Sequence, residues 1–557
     1  MTGIRDAWTF VVCDSLEKVF ADRRPRPMNR AIPITAFAGE SVSFQIAFLP
    51  PAAQSFDDVG EVVVEVGAAA AAITAVATVD LVPCTLVAFE PHDDGWLRDT
   101  AGLYPDLLRP LPPGGRVVPY LGQWRAVWFT VTAPALDGEL PVGVTVRSAA
   151  TGRALFTTTV PVQVHPQPLP ALDIVNTHWV HGDGLATFYD VEVYGEEYWA
   201  ILERYVAAAA GMGVNSVLTP VWTPPLDTAV GGTRLCVQLV DIVDDDGSYR
   251  FDFARLRRWM DLCRRQGMRH LEIAHLFTQW GAEHPPAVYV RSGSATVQRF
   301  GWHTAATDPE YRRLLEALIP ALRQELQTGW GLEHVIFHIS DEPHGDAMLA
   351  SYRAARAVVD DLLEGCTVVD ALSDFAFYSS GVVEHPVVAT DALDPFFAAG
   401  VGDLWMYYCV GQHAGVANRF IGQPSTRNRV LGSQLFRFRA AGFLHWGFNF
   451  YNAHLSTGPI DPFRDTTAGG AFLAGDPFVV YPGDDGRPWE SIRYRVFAEA
   501  MADHRAMQAL RDLAGTDAVL GIVDRDGTLS MTRYSDDPDH YRRVRAALTD
   551  EIVRRSA

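Results

Sequence analysis

The chain changes rhythm once, and that change limits its fold more than any other feature. Before about residue 165, short alternating runs recur: Val42, Phe44, Ile46 and Phe48; Val62, Val64 and Val66; Val127, Phe129 and Val131; Val142, Val144 and Val146. Pro, Gly and Asp clusters separate them. Alternation puts every second side chain on one face of a strand, and repeated turns between such strands predict a β-sandwich. The segment Val164-His165-Pro166-Gln167-Pro168-Leu169-Pro170 then forms a stiff spacer. Beyond it, apolar strand-length runs alternate with helical periodicity, the pattern of a parallel sheet with crossover helices.

Eight strand candidates follow the spacer: Asp173 to Val180, Val214 to Val221, Leu271 to Leu276, Val335 to Ser340, Thr367 to Ala371, Val387 to Thr390, Leu404 to Cys409 and Phe443 to Phe450. Helices are predicted at Glu196 to Ala210, Phe253 to Gln266, Pro309 to Gln327 and Ala347 to Leu363. Eight such units fit a (β/α)8 barrel. In the tail, a helix is predicted near Ile492 to Leu513. Asp526-Gly527 reads as a hairpin turn between Val519 to Ile522 and Leu529 to Met531. The expected fold class is therefore multidomain β plus α/β. A β-sandwich (1–165) and a linker (166–171) precede a (β/α)8 TIM-like catalytic barrel (172–455). A small C-terminal extension with a helix and a β-hairpin (456–557) ends the chain.

Composition removes several functions. The net charge of −21 argues against nucleic acid and anionic membrane partners. Lys18 is the sole lysine, which excludes Schiff-base chemistry and a P-loop. Six scattered cysteines without a CxxC indicate neither a zinc knuckle nor a disulfide framework. No Gly-x-Ser-x-Gly elbow or Gly-x-Gly-x-x-Gly fingerprint occurs. The Met1 to Asp6 start does not read as a signal peptide, no run is long enough to span a bilayer, and no Asn-x-Ser/Thr sequon is present. A cytoplasmic protein without cofactor is expected.

The chemistry concentrates in His338-Ile339-Ser340-Asp341-Glu342-Pro343. Two adjacent carboxylates end an apolar strand, and barrel strands carry active sites at their C-terminal ends. Asp341 and Glu342 are therefore the catalytic candidates, suited to general acid/base work on a substrate. A retaining glycosidase with a protein nucleophile needs a second carboxylate about 5 Å from the acid. The seventh strand, Asp403 to Gly411, ends without one, and the eighth, Leu444 to Asn449, ends in an amide. That points to substrate assistance, in which a sugar's 2-acetamido oxygen attacks the anomeric carbon. One acid then protonates the leaving oxygen while its neighbour orients the acetamido group.

The Asp-Glu-Pro strand end, Trp405-x-Tyr407-x-Cys409, the run Gly442 to Asn449, Val480-Tyr481-Pro482-Gly483 and Ser491-Ile492-Arg493 together resemble glycoside hydrolase family 123 and its relatives in domain family 4091. The resemblance implies a sandwich ahead of the barrel and β-N-acetylgalactosaminidase activity. It implies Glu342 as general acid/base and Asp341 as the acetamido-orienting residue. A carbohydrate with a terminal β-linked 2-acetamido sugar is then the expected partner.

Trp405, Tyr407 and Trp446 on the late strands are expected to stack on the sugar, or in the case of Tyr407 to hold the acetamido carbonyl. Asn449 is expected to bind a hydroxyl. His178 and His275, near His181 and His284, are expected as polar substrate contacts; the His178-x-x-His181 spacing with Asp183 matches no metal motif, so no metal is expected. Trp280, in a long loop with Trp302, is expected to wall a subsite. Asp244 to Gly247 reads as a hairpin turn, not a calcium loop. Two alternatives stay open: a two-carboxylate glycosidase recruiting Asp391 or Asp183, and a lectin that uses the barrel mouth without turnover.

Overall fold

A computed structural model describes residues 7–53, 56, 59–67, 72–245 and 247–556. The Met1 to Asp6 segment lies outside the described residues, as does Asp246 of the acidic turn. Among the described residues, no helix is long and apolar enough to cross a membrane.

The sandwich consists of two five-stranded sheets. One has Ser41–Leu49 and Arg125–Thr132 at its heart; the other is built around Gly138–Ser148 and Ala154–His165. Phe44, Ile46, Phe48, Val127 and Phe129 from the first meet Val62, Val144, Val146 and Val162 from the second. The first sheet is covered on its other face too. Ala47, Leu49 and Trp128 pack against Ile492 and Val496 of the long helix Ile492–Ala514. A strand buried on both faces loses its polar alternation, which is why Ser41–Leu49 is almost entirely buried.

Eight parallel strands close the barrel: Val175–His178, Ser216–Thr219, His270–Ile273, Val335–Phe337, Thr367–Leu372, His385–Ala389, Trp405–Tyr407 and Gly442–His445. Six of them are shorter than the expected runs, because the flanking residues leave the ladder for the rim, while Thr367–Leu372 and His385–Ala389 are each one residue longer. Two excursions from the second and third units, Asp241–Asp245 with Ser248–Asp252 and Val288–Ser292 with Ala295–Phe300, pair into a four-stranded sheet. The long loop after the third strand therefore contains a hairpin, turned at Gly293 with φ +60°. The acidic turn holds as expected: Gly247 N–H donates to the Asp244 carboxylate at 2.8 Å.

The tail differs from expectation in one respect. Thr516–Val523 is a helix, not a strand, because Val519 and Val523 lie one turn apart and bury together with Met507 and Leu510. Asp526-Gly527 turns the chain out of that helix: Gly527, at φ +65°, donates to the Asp524 carbonyl at 2.9 Å. A further helix, Pro538–Ser556, follows with proline at its first position.

The helix Ile492–Ala514 joins the layers. Its Tyr494, Phe497 and Met501 belong to the barrel core, while Ile492 and Val496 face the sandwich. At its start, Arg493 makes a buried bidentate pair with sandwich residue Asp106, both bonds at 2.8 Å. Lys18 donates to the carbonyls of Ile421 and Gln423 at 2.7 Å each, so the one lysine anchors sandwich to barrel.

Candidate active site

The fourth barrel strand stops at Phe337, and the chain turns over the barrel mouth. Glu342 takes φ +45°, a left-handed backbone that costs a non-glycine residue about 1–2 kcal/mol. Two hydrogen bonds hold it there: Glu342 N–H donates to Ala371 O at 3.1 Å, and Trp280 N–H donates to Asp341 O at 2.9 Å. Consecutive strand residues point to opposite faces, whereas this turn brings both carboxyl groups into one pocket of about 190 Å³. Trp179, Trp280, Tyr407, Trp446 and Phe472 supply aromatic walls.

The two acids have unequal surroundings. Glu342 Oε1 accepts the Tyr407 hydroxyl at 2.7 Å. Burial, and then the Glu342 charge, push the Tyr407 phenol far above its ordinary value, so it remains a donor. The Asp341 carboxyl has no hydrogen-bond partner among the described residues. Burial and the neighbouring Glu342 charge raise its pKa well above the carboxylate range, with His338 opposing them. Cys409 Sγ approaches Glu342 Oε1 at 3.6 Å, but burial and that same charge keep it a thiol.

Beneath the pair lies a charged network inside the barrel. Thr177 and Trp179 at the first strand donate to Glu272 of the third, the indole at 2.9 Å. His338 Nε2 sits 2.5 Å from Glu272 Oε1, and its Nδ1 sits 3.4 Å from Asp370 of the fifth strand. Burial alone would discharge His338, but the two carboxylates outweigh it and lift its pKa to about 10. His275, His338 and Asp370 also bring three metal-capable atoms within 4.8 Å of one another. With carboxylates at both ring nitrogens, this cluster already carries a cation, the His338 imidazolium. A second buried acid, Asp476, accepts the Trp446 indole N–H at 3.1 Å. Burial raises its pKa to about 7 against the pull of Arg419 and Trp446.

Asp341, Glu342, Trp280, Tyr407 and Trp446 thus meet in the pocket. Four other expected contacts do not line it. His178 is buried beside Arg419, with Nδ1 3.4 Å from its guanidinium. His275 is buried against His338, ring centres 4.5 Å apart and ring planes tilted by 30°. Trp405 is buried against Gly442, where a Cβ would come within 2.3 Å of the indole. Asn449 clamps the His181 backbone, accepting its N–H at 2.9 Å and donating to its carbonyl at 3.1 Å. Asp183 is locked by Arg234 at 2.6 and 2.9 Å, and Asp391 is exposed and bonded to Gln412, so neither lines the pocket. Sequence reasoning missed Asp227, Gln279, Cys409 and His454, which do. Cys409 lay inside a motif already noted; Asp227 and His454 sit in loops without periodicity.

The family described as "Glycoside hydrolase 123, catalytic domain" matches residues 179–510. No curated protein sequence matches the chain. Among solved structures, a family 123 glycoside hydrolase from Clostridium perfringens, studied for glycolipid glycan hydrolysis, superposes with a TM-score of 0.72 at 12% identity, over 98% of this chain and 99% of that one. A Bacteroides ovatus GH5 xyloglucanase is more distant, with a TM-score of 0.32 at 9% identity, over 85% and 99% of the two chains. So is an Eisenbergiella tayi GH2 β-galacturonidase, at 0.33 and 10% identity, over 89% and 72%. The sandwich, the closed barrel and the acidic pair at its mouth thus accompany a family match over more than half of the sequence, and the chain belongs to glycoside hydrolase family 123.

Proposed function

We propose that this glycoside hydrolase is a retaining exo-β-N-acetylhexosaminidase that prefers terminal β-linked N-acetylgalactosamine and works by substrate assistance. One observation carries the reading: Glu342 and Asp341 enter the same pocket, one held by Tyr407 and the other without a partner among the described residues. Glu342 protonates the glycosidic oxygen. The acetamido oxygen attacks the anomeric carbon, the leaving group departs, and an oxazoline forms. Asp341 accepts the acetamido N–H and balances the positive charge that develops on that group. Glu342 then takes a proton from water, which opens the oxazoline with overall retention.

Neighbouring carboxyls suit this division, because the acetamido group and the leaving oxygen occupy adjacent sugar carbons. Burial favours it as well. A low-polarity site strengthens the Asp341 interaction as charge builds. The glycolipid work on the Clostridium perfringens relative makes glycolipid glycans the first natural substrates to assay.

Glu342→Gln should lower turnover of an aryl β-N-acetylgalactosaminide by orders of magnitude, and wild-type-like rates in that variant would sink the assignment. A thiazoline mimic of the oxazoline should inhibit the wild type competitively; indifference to it would argue for a protein nucleophile.

A further inference from the structure

The pocket lining holds a second polar pair. Asp227 lies in the loop after the second strand, and His454 in the segment after the eighth. Apart from Asp341, Glu342, Tyr407 and Cys409, they are the ionisable residues among the described pocket lining. Their loops are clasped together. Ser456 Oγ donates to Asp227 O at 2.7 Å, Ala229 N–H donates to Leu455 O at 3.0 Å, and Gln279 Oε1 accepts the Asp227 N–H at 2.5 Å. Asp227, Leu455 and Ser456 all take left-handed backbones, with φ of +41°, +58° and +51°. Non-glycine residues adopt that region only where surrounding contacts over-determine it.

Three of the four clasp bonds use backbone groups and neutral side chains, so only one of them needs a carboxylate. Yet Asp227 presents one, only 11% exposed, at the pocket wall. The nearby guanidinium, Arg234, is committed to Asp183. Asp227 Oδ2 accepts the Leu455 N–H at 3.0 Å, and Oδ1 lies 3.4 Å from His454 Nε2. An ionised carboxylate has about four acceptor positions, so half remain for a ligand. Burial lifts the Asp227 pKa to about 6, although His454, the Leu455 N–H and Arg234 all favour its charged form. A buried carboxylate with spare acceptor positions suits a ligand bearing hydroxyl donors.

From this geometry we infer that Asp227 and His454 form the hydroxyl-reading end of the sugar subsite. The catalytic carboxyls engage the anomeric oxygen and the 2-acetamido group, so the far wall faces C4 and its neighbour. Asp227 accepts the C4 hydroxyl, and His454 supports the pair from the rim. Galacto and gluco sugars differ in the direction of that hydroxyl, which makes Asp227 a specificity-determining residue. The inference rests on the acetamido-sugar reading above.

The test compares aryl β-N-acetylgalactosaminide with its 4-deoxy analogue. Asp227→Ala should lower kcat/KM on the parent sugar by roughly thirtyfold or more, the scale of a lost hydrogen bond to a charged group. On the 4-deoxy sugar the loss should be less than about threefold, since the partner hydroxyl is already gone. Ser456→Ala, which removes one bond of the clasp and leaves the carboxylate, should keep the wild-type ratio between the two substrates. Equal losses on both substrates in Asp227→Ala overturn the inference. So does a collapse of kcat on both that azide restores, which would make Asp227 a nucleophile. If the wild type cleaves β-galactosides and no acetamido sugar, the parent reading fails. The same comparison with a 4-deoxy-β-galactoside then still decides the role of Asp227.

Discussion

The hydroxyl of Tyr407 donates to Oε1 of Glu342 at 2.7 Å, across the mouth of the barrel from the seventh strand to the turn after the fourth. Its phenol stays protonated, because burial and the carboxylate charge both oppose ionisation. Tyr407→Phe removes one hydrogen bond to a charged group, worth about 1.5–3 kcal/mol. Turnover of aryl glycosides should therefore fall roughly tenfold to hundredfold. The loss should be greater for poor leaving groups, which need more help from Glu342. A rate within twofold of wild type on every leaving group would remove Tyr407 from the catalytic machinery.

Asp341 holds its proton far more tightly than an ordinary carboxyl. Burial, and then the Glu342 charge, raise Asp341 well above the ordinary carboxylate range, so the pocket keeps a proton there as pH rises. On the proposed mechanism, an acetamido N–H at Asp341 favours its charged form, and the active enzyme keeps one proton in this pocket. The alkaline limb of kcat/KM should accordingly lie well above pH 4, and Asp341→Asn should move it to lower pH. An alkaline limb near pH 4 in the wild type would contradict the coupling.

The acidic pair was legible because adjacency at a strand end is a local signal. Its left-handed Glu342 was not, since no glycine or asparagine marks the position. Tyr407 and Trp446 were readable as late-strand aromatics. Trp405, two residues before Tyr407 in the same strand, looked equivalent. It sits nearer the strand's N-terminal end, where Gly442 of the neighbouring strand leaves room for its ring. Short strands and their order followed from apolar rhythm. The helix Thr516–Val523 did not, because Asp526-Gly527 turns a helix end as readily as a hairpin. Asp227 and His454 were invisible for a different reason: a clasp between two loops is a long-range contact with no periodic trace.

His338 should remain an imidazolium at neutral pH. Its folded value of about 10 exceeds the ordinary histidine value near 6.5. Its contribution to stability is thus complete below about pH 6.5 and is lost as pH rises through about 10. Lys18 acts in the opposite sense over nearly the same window. Burial lowers its folded value to about 7, so its cost is greatest below pH 7 and fades toward the free lysine value. A pH series of global unfolding would blend the two, so the decisive measurement is residue-specific. In 15N-histidine spectra, His338 should keep the doubly protonated pattern at pH 8. A neutral ring there would overturn the charge assignment.

The last prediction concerns the joint between sandwich and barrel. Asp106 is fully buried and receives two bonds from Arg493 at 2.8 Å and one from the Tyr481 hydroxyl at 2.7 Å. Arg493 also donates to the carbonyls of Gly475 and Phe478 at 2.6 and 2.8 Å, close to the Asp476 that holds Trp446. Asp106→Ala strands a guanidinium in a dry interior, which costs about 3–5 kcal/mol. Urea unfolding should show that loss. Replacing both partners, as in Asp106→Ala with Arg493→Met, should recover part of it, because no unpaired charge then remains. The Asp106→Ala protein that still folds should bind sugar more weakly, since the segment beneath Trp446 hangs from Arg493. Unchanged stability in Asp106→Ala would mean that the pair adds nothing to the joint, which the Lys18 bonds and the apolar contacts of Ile492 and Val496 would then hold without it.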